Sequence, residues 1–307
     1  MTEVWTNAEV ALLQVWVQQG KRSNEIVKLL AEHGIDRTQK AITRKLARET
    51  AKDPYAWHAM VNESKFPRFT GWERVQGDAL CLFDAQAPFH DAPFINAMMG
   101  LAIDWGVKNL ILGGDMIDFA TFSPYGGSPN VLAEDEIIAT EQMMDAFAAN
   151  FERVVWVSGN HEQRLTKRFD GLVSHHRAFK LFSIAENVTI SDYRYCELES
   201  GGESFYVEHP GNFSSTPTQV AVKLCSIHLK HVIAGHGHLW GRRLDASGKF
   251  YAVDSGICAD PLRLEYANKT HKTYPKQVQG AVIVRSGKPW LFLPSDMDDF
   301  KRLRWVA

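Results

Sequence analysis

Five short apolar runs, each ending at Asp, Asn or His, constrain this chain more than any other feature. ALCLF (79–83) runs into Asp84-Ala85-Gln86, and NLIL (109–112) into Gly113-Gly114-Asp115-Met116-Ile117-Asp118. VVWV (154–157) runs into Ser158-Gly159-Asn160-His161-Glu162, SFYVE (204–208) into His209, and HVIA (231–234) into Gly235-His236-Gly237-His238. Such runs have the length of buried strands. Helical patterns lie between them: Phe94, Met98, Leu101 and Trp105 share one face, as do Ile137, Met144, Phe147 and Phe151. The alternation predicts a βαβαβ start and a largely parallel sheet in an α/β domain. In such sheets functional groups stand just past the carboxyl ends of the strands. A lone Asp there is a turn or cap residue, and a lone His is an ordinary core or surface histidine. Five such endings in one region ask for a common purpose, and glycines beside three of them allow close backbone approach.

The donor types suggest that purpose. Oxygen and imidazole ligands without thiolates suit Mn²⁺, Mg²⁺, Fe or Zn²⁺. Two divalent ions about 3.5–4 Å apart need a bridging carboxylate and further O and N ligands, and a water between them becomes a hydroxide near neutral pH. The four cysteines, Cys81, Cys196, Cys225 and Cys258, form no CxxC pair. That argues against a thiolate zinc site or a disulfide framework and for a reducing compartment. No signal peptide or membrane-spanning run is evident. The expected setting is therefore the cytoplasm, without a membrane partner. A net charge of −2 excludes a molecule that traps nucleic acid over its whole surface. Nothing in the sequence speaks to oligomeric state.

In order, DxQ, GGDxxD, GNHE, an isolated His and GHGH resemble the calcineurin-like metallophosphoesterase superfamily over residues 80 to about 240. DAQAPFHD and GGDMIDF are most similar to a branch met in phage and mobile-element genomes. The resemblance implies a metallo-dependent phosphatase double β-sheet sandwich flanked by helices, and two divalent ions with manganese foremost. It implies that Asp84, Gln86 and His238 hold the first ion, that Asp115 bridges, and that Asn160, His209 and His236 hold the second. It places His161 beside the substrate, with Asp118 orienting it. Three departures stand out. Gln86 occupies a histidine position. Phe119-Ala120 follow Asp118, so the phosphate-gripping arginine of the protein phosphatases is absent there. His209 is followed by Pro210 rather than Gly, with His228 and His231 as poorer alternatives. His90 reads as a residue behind the ligands or at a helix start, and His175-His176 as surface.

Residues 1–52 read as three helices. Thr6 and Glu9 form a capping box ahead of Ala8, Leu12 and Trp16, and Ser23 opens a helix carrying Ile26, Leu29 and Leu30 that stops at Gly34. Thr38 caps a third, with Ala41, Ile42 and Leu46 inward and Arg37, Lys40, Arg44, Lys45 and Arg48 as a candidate nucleic-acid face. WTNAEVALL and RTQKAITRKL resemble Myb/SANT- or homeodomain-like helix-turn-helix domains. The alternative is a small helical module with a solvated charged face. Residues 53–77 read as a connector and 78–307 as the phosphoesterase domain. A rim loop at 121–130 offers Phe122 and Tyr125 for base stacking, and Arg164, Lys167 and Arg168 could guide a phosphate backbone. The expected function is metal-dependent phosphodiester hydrolysis on DNA, as a phosphodiesterase or nuclease. The alternatives are a phosphoesterase of small nucleotides or phosphomonoesters, and a DNA-binding protein with an inactive phosphoesterase domain.

Overall fold

The computed structural model describes residues 4–57, 68–123, 131–170, 172–180, 182, 184–268 and 277–300. The chain forms two compact units, Met1–Thr70 and Gly71–Ala307.

The first unit holds helices α1 (Asn7–Gln18), α2 (Ser23–Glu32) and α3 (Gln39–Lys52). The Thr6 and Thr38 caps are those the sequence predicts, and α2 opens at Ser23 with Arg22 as its N-cap. The Thr6 side chain accepts from Glu9 N while Glu9 Oε2 accepts from Thr6 N, and Thr38 Oγ1 accepts from Ala41 N. Gly34 ends α2 region with a φ of +73°, a conformation that Gly adopts without a Cβ penalty. The inward stripe of α1 keeps the expected Trp16 but passes through Glu9 and Leu13 in place of Ala8 and Leu12. Leu13 and Trp16 are buried with Ile26, Leu30, Ile42 and Trp57, whereas Ala8 is exposed and Leu12 only partly covered. The shift lets Glu9 face inward, where it pairs with Arg37.

The second unit begins with β1 (Arg74–Gln76), β2 (Ala79–Leu82), α4 (Ala92–Asp104), β3 (Asn109–Leu112), α5 (Ala133–Asn150) and β4 (Arg153–Trp156). Then follow α6 (Glu162–Arg168), α7 (His175–Phe179), β5 (Val188–Ile190), β6 (Tyr195–Ser200), β7 (Glu203–Glu208), α8 (Gln219–His228) and β8 (His231–Ala234). The described elements end with β9 (Trp240–Leu244), β10 (Tyr251–Ser255), α9 (Glu265–Asn268), β11 (Ala281–Arg285) and β12 (Lys288–Phe292). They form two mixed six-stranded sheets, ordered β12-β11-β2-β3-β4-β5 and β1-β6-β7-β8-β10-β9. The run β2-β3-β4-β5 is parallel, as are the pairs β7-β8 and β8-β10; β11 joins β2 antiparallel. The strand runs alone predicted one largely parallel sheet, whereas the resemblance implied two stacked sheets flanked by helices, and two sheets form. The added β11–β12 and β6–β7 hairpins make both sheets mixed.

The sheets stack face to face, and the alternation along β2 shows why all four of its residues are buried. Ala79 and Cys81 point into an inter-sheet core with Ile111, Val155 and Val282 on one side and Leu198, Phe205, Val207, Ile233 and Val253 on the other. Leu80 and Leu82 point the other way, onto Phe94, Met98, Met144, Phe147 and Phe179 of the outer helices. Helix α8 covers the far face of the second sheet through Ala221 and Cys225. A strand covered on both faces reads as an unbroken apolar run, which is how β2, β3, β4 and β8 appear in the sequence. Among the described residues no helix is long and apolar enough to cross a membrane.

Candidate metal centre

The parallel strands β2, β3 and β4 of one sheet and β7 and β8 of the other end along the same edge, and the five sequence endings meet there. Asp84 is fully buried: its Oδ1 lies 3.1 Å from His238 Nε2 and its Oδ2 accepts from His236 N at 3.0 Å. Gln86, also buried, has its amide nitrogen 3.4 Å from the same His238 Nε2. Asp115 accepts at Oδ1 from His161 N at 2.8 Å, and its Oδ2 lies 3.3 Å from His209 Nε2. His209 Nε2 is also 3.0 Å from Asn160 Oδ1, while its Nδ1 lies 3.0 Å from the Gly113 carbonyl. That carbonyl can only accept, so Nδ1 carries a proton and Nε2 is turned inward, toward Asn160 Oδ1 and Asp115 Oδ2. Ligating atoms of Asp115, His209 and His236 lie within 4.8 Å of one another. Two donor groups thus sit side by side: Asp84, Gln86 and His238, and Asp115, Asn160, His209 and His236.

The backbone is bent to achieve this. Asp84, Gln86, Asp115, His236 and His238 all have φ between +48° and +66°. Non-glycine residues in that region cost of order 1–3 kcal/mol each and cluster at functional sites. Glycine relieves the crowding elsewhere: a Cβ on Gly159 would run into the Asp115 carboxylate, and one on Gly235 into the Phe83 ring.

Electrostatics bind the cluster together. Burial alone raises the Asp115 carboxyl, but His161 and His209 beside it, with their hydrogen bonds, hold it well below its ordinary value. Burial alone lowers His209, yet Asp115 pushes it up to about 9. His236 is lowered to about 4 by burial and by His209.

His161 sits over Asp115 with its Nε2 3.6 Å from Oδ2 and its Nδ1 2.7 Å from Asp118 Oδ1. Burial lowers its pKa, but Asp115 and Asp118 outweigh that and raise it. Arg164, one turn along α6, donates from Nη1 to the Asp118 carbonyl at 2.7 Å and lies with Nη2 3.0 Å from His161 Nε2. Two acidic residues that the sequence reading assigned no role complete the frame. The Glu162 carboxylate accepts from the backbone N–H groups of Asp115, Met116 and Gly159 at 2.7–2.9 Å and from Trp156 Nε1 at 3.2 Å. It therefore ties the β3 and β4 endings together. Glu136, from the buried face of α5, accepts from Ala120 N just beyond Asp118 at 2.7 Å. Its signal in the sequence is a charge within an apolar helical stripe.

Other expected residues lie elsewhere. His90 forms a bridge to Ala259, and Asp91 caps α4 by accepting from Phe94 N. His175 is not on the surface as expected: it is buried against Trp156 and Phe179 because α7 folds onto the outer face of the first sheet. His228 is 3.7 Å from Glu208, and His231 is held by Glu203 and Tyr251 N, both outside the cluster. Lys167 and Arg168 are exposed, with Arg168 over the Phe122 ring. Of the expected rim loop, residues 124–130, including Tyr125, lie outside the described residues. The four cysteines are buried with raised thiol pKa values and take no part.

In the helical unit, Lys40, Arg44 and Arg48 stand exposed at four-residue spacing on α3. Lys45 is paired with Glu49, and Arg37 is engaged by Glu9, the Val4 carbonyl and the Trp5 ring.

Neither a protein-family model nor a curated protein matches the chain. Solved structures similar to it include the phosphoesterase Yfce from E. coli, at 12% identity over 67% of this chain and 87% of that one, with a TM-score of 0.35. Vacuolar Protein Sorting 29 from Cryptosporidium parvum matches at 12% identity over 71% and 96%, TM-score 0.35. The Pseudomonas putida nuclease MPE matches at 14% over 70% and 87%, TM-score 0.25. Scores this low transfer no residue role to this chain.

Proposed function

We propose that this chain is a metal-dependent phosphoesterase with two divalent ions, and that its substrate is a phosphodiester of DNA. The observation that carries the reading is the meeting of seven O- and N-donor side chains from five strand ends, in two adjoining groups, with His161 held over them by Asp118. The donor chemistry fits hard or borderline divalent ions. Asp84, Gln86 and His238 would hold one ion, Asn160, His209 and His236 the other, and Asp115 would serve both. With its amide turned so that the oxygen rather than the nitrogen faces His238 Nε2, Gln86 would offer a neutral oxygen in place of imidazole, which favours Mn²⁺ or Mg²⁺ over Zn²⁺. Ions so held supply Lewis-acid charge stabilisation and a nucleophile at neutral pH.

The remaining chemistry belongs to the protein. Asp118 holds the imidazole of His161 in one orientation, so that Nε2 faces the Asp115 side, where a reacting phosphoryl group would sit. A histidine so placed can give a proton to a leaving oxygen. Glu162 locks the two turns that present Asp115 and His161. For the DNA substrate, the support is the exposed Lys40, Arg44 and Arg48 stripe on the third helix of a three-helix unit.

The test is a matrix of metals and substrates. Chelator-stripped protein receives Mn²⁺, Mg²⁺ or Zn²⁺ and is offered a phosphomonoester, bis(p-nitrophenyl) phosphate, a cyclic nucleotide, and single- and double-stranded DNA. Mn²⁺-dependent cleavage of the diester and of DNA is expected, and Asp115→Ala should abolish it. Undiminished turnover in excess chelator would overturn the metal reading. Turnover of the monoester or nucleotide alone would replace DNA with a small substrate.

A further inference from the structure

We infer that Arg164 is the side chain that grips the substrate's phosphoryl oxygen. This rests on the phosphoesterase reading above. The site presents four acidic side chains, Asp84, Asp115, Asp118 and Glu162, all buried. An anionic phosphoester entering beside them needs a cation from the protein as well as from any ion. Arg164 is placed to supply it. Its guanidinium is fixed on one side by the Asp118 carbonyl at 2.7 Å, and its Nη2 lies 3.0 Å from Nε2 of His161, the ring atom that faces Asp115. A guanidinium only donates, so that contact uses the Nε2 lone pair and leaves the His161 proton on Nδ1, beside Asp118 Oδ1. A phosphoryl oxygen arriving near His161 is a far better acceptor than a neutral imidazole, because the hydrogen bond is charge-assisted at both ends and can be bidentate. Arg164 would then donate to the phosphate and release His161 Nε2, which takes up a proton from solvent before it can pass one to the leaving oxygen. The side chain is 15% exposed, open enough to meet a ligand and buried enough for the bond to count. Arg194, also near the site, is placed differently: its Nη2 donates to the Pro210 carbonyl and braces the loop after His209.

The sequence offered Arg164 only as one of three basic residues that could guide a phosphate backbone, without singling it out. The position directly after Asp118 carries Phe119, and the cation instead comes three residues after His161, one helical turn away in space.

The test compares wild type, Arg164→Gln and Arg164→Lys, with Mn²⁺ and bis(p-nitrophenyl) phosphate, and measures inorganic phosphate binding to the Mn²⁺-loaded protein by calorimetry. We expect Arg164→Gln to raise KM and the phosphate dissociation constant at least tenfold, with Arg164→Lys recovering part of both. If kcat falls while KM and phosphate affinity hold, Arg164 merely positions Asp118 and His161 and the inference is overturned. Arg164→Met preserves the stem's packing and answers the same question should the glutamine variant fail to fold. Wild-type protein that binds phosphate through Arg164 but turns over no phosphoester would overturn the proposed function and leave Arg164 as a phosphate-binding residue without a catalysed reaction.

Discussion

Glu136 illustrates how a single residue can carry a cost that sequence does not display. Its carboxyl is fully buried; one oxygen accepts from Ala120 N and the other has no hydrogen-bond partner. Burial, with Asp118 nearby, raises its pKa from 4.5 to about 7. A carboxyl whose folded pKa lies above its unfolded value favours the folded state when protonated. Stability is therefore lost as pH rises from about 4.5 through about 7, by roughly 3 kcal/mol at most. Glu136→Gln keeps an acceptor and removes the charge. Its denaturation midpoint should match wild type below pH 4.5 and exceed it by a growing margin up to pH 8; a gap independent of pH would show that the cost lies elsewhere. The strained backbone of Asp84, Asp115, His236 and His238 belongs to the same scale. The residue types were legible as O and N donors, but their left-handed φ values were not, because the partners they meet are up to 154 positions away.

At the scale of elements, strands and caps were the most readable features, and side-chain register on helices the least. Local chemistry decides a cap such as Thr6–Glu9. The inward face of α1 is decided by α2, α3 and Arg37, so the stripe runs through Leu13 rather than Leu12. Helix α3 shows the same division. Five basic residues looked equivalent, yet Lys45 and Arg37 are already paired, while Lys40, Arg44 and Arg48 remain as one exposed stripe. Arg44→Ala should lower DNA affinity and reduce the slope of log K against log salt by about 1, as expected when one phosphate contact is lost. Lys45→Ala should leave that slope in place and cost only a few tenths of a kcal/mol of helix stability. Equal effects of the two variants in titrations from 50 to 200 mM salt would refute the stripe as the contact surface.

For the whole molecule, each unit carries its own core: Leu13, Ile26, Leu30 and Ile42 in the first, and the inter-sheet and outer-helix layers in the second. A second unit with a complete core and a complete donor cluster should fold without the first. Removal of residues 1–70 is expected to leave kcat/KM for bis(p-nitrophenyl) phosphate within about twofold while weakening DNA binding at fixed salt. Loss of both together would mean that the first unit contributes to the site; unchanged DNA affinity would remove the helical unit as the reader.

By itself the sequence determined the strand runs, the donor residues at their ends and the helix caps. These depend on burial period, residue type and contacts within four positions. Tertiary structure alone decided the sheet order with its antiparallel additions and the burial of His175. It also decided the engagement of Arg37, the roles of Glu136 and Glu162, and the placement of Arg164 against His161. Each of these depends on which surfaces meet, where three helices pack in the first unit or where two sheets stack under helices in the second, and such meetings join residues that local pattern leaves unrelated.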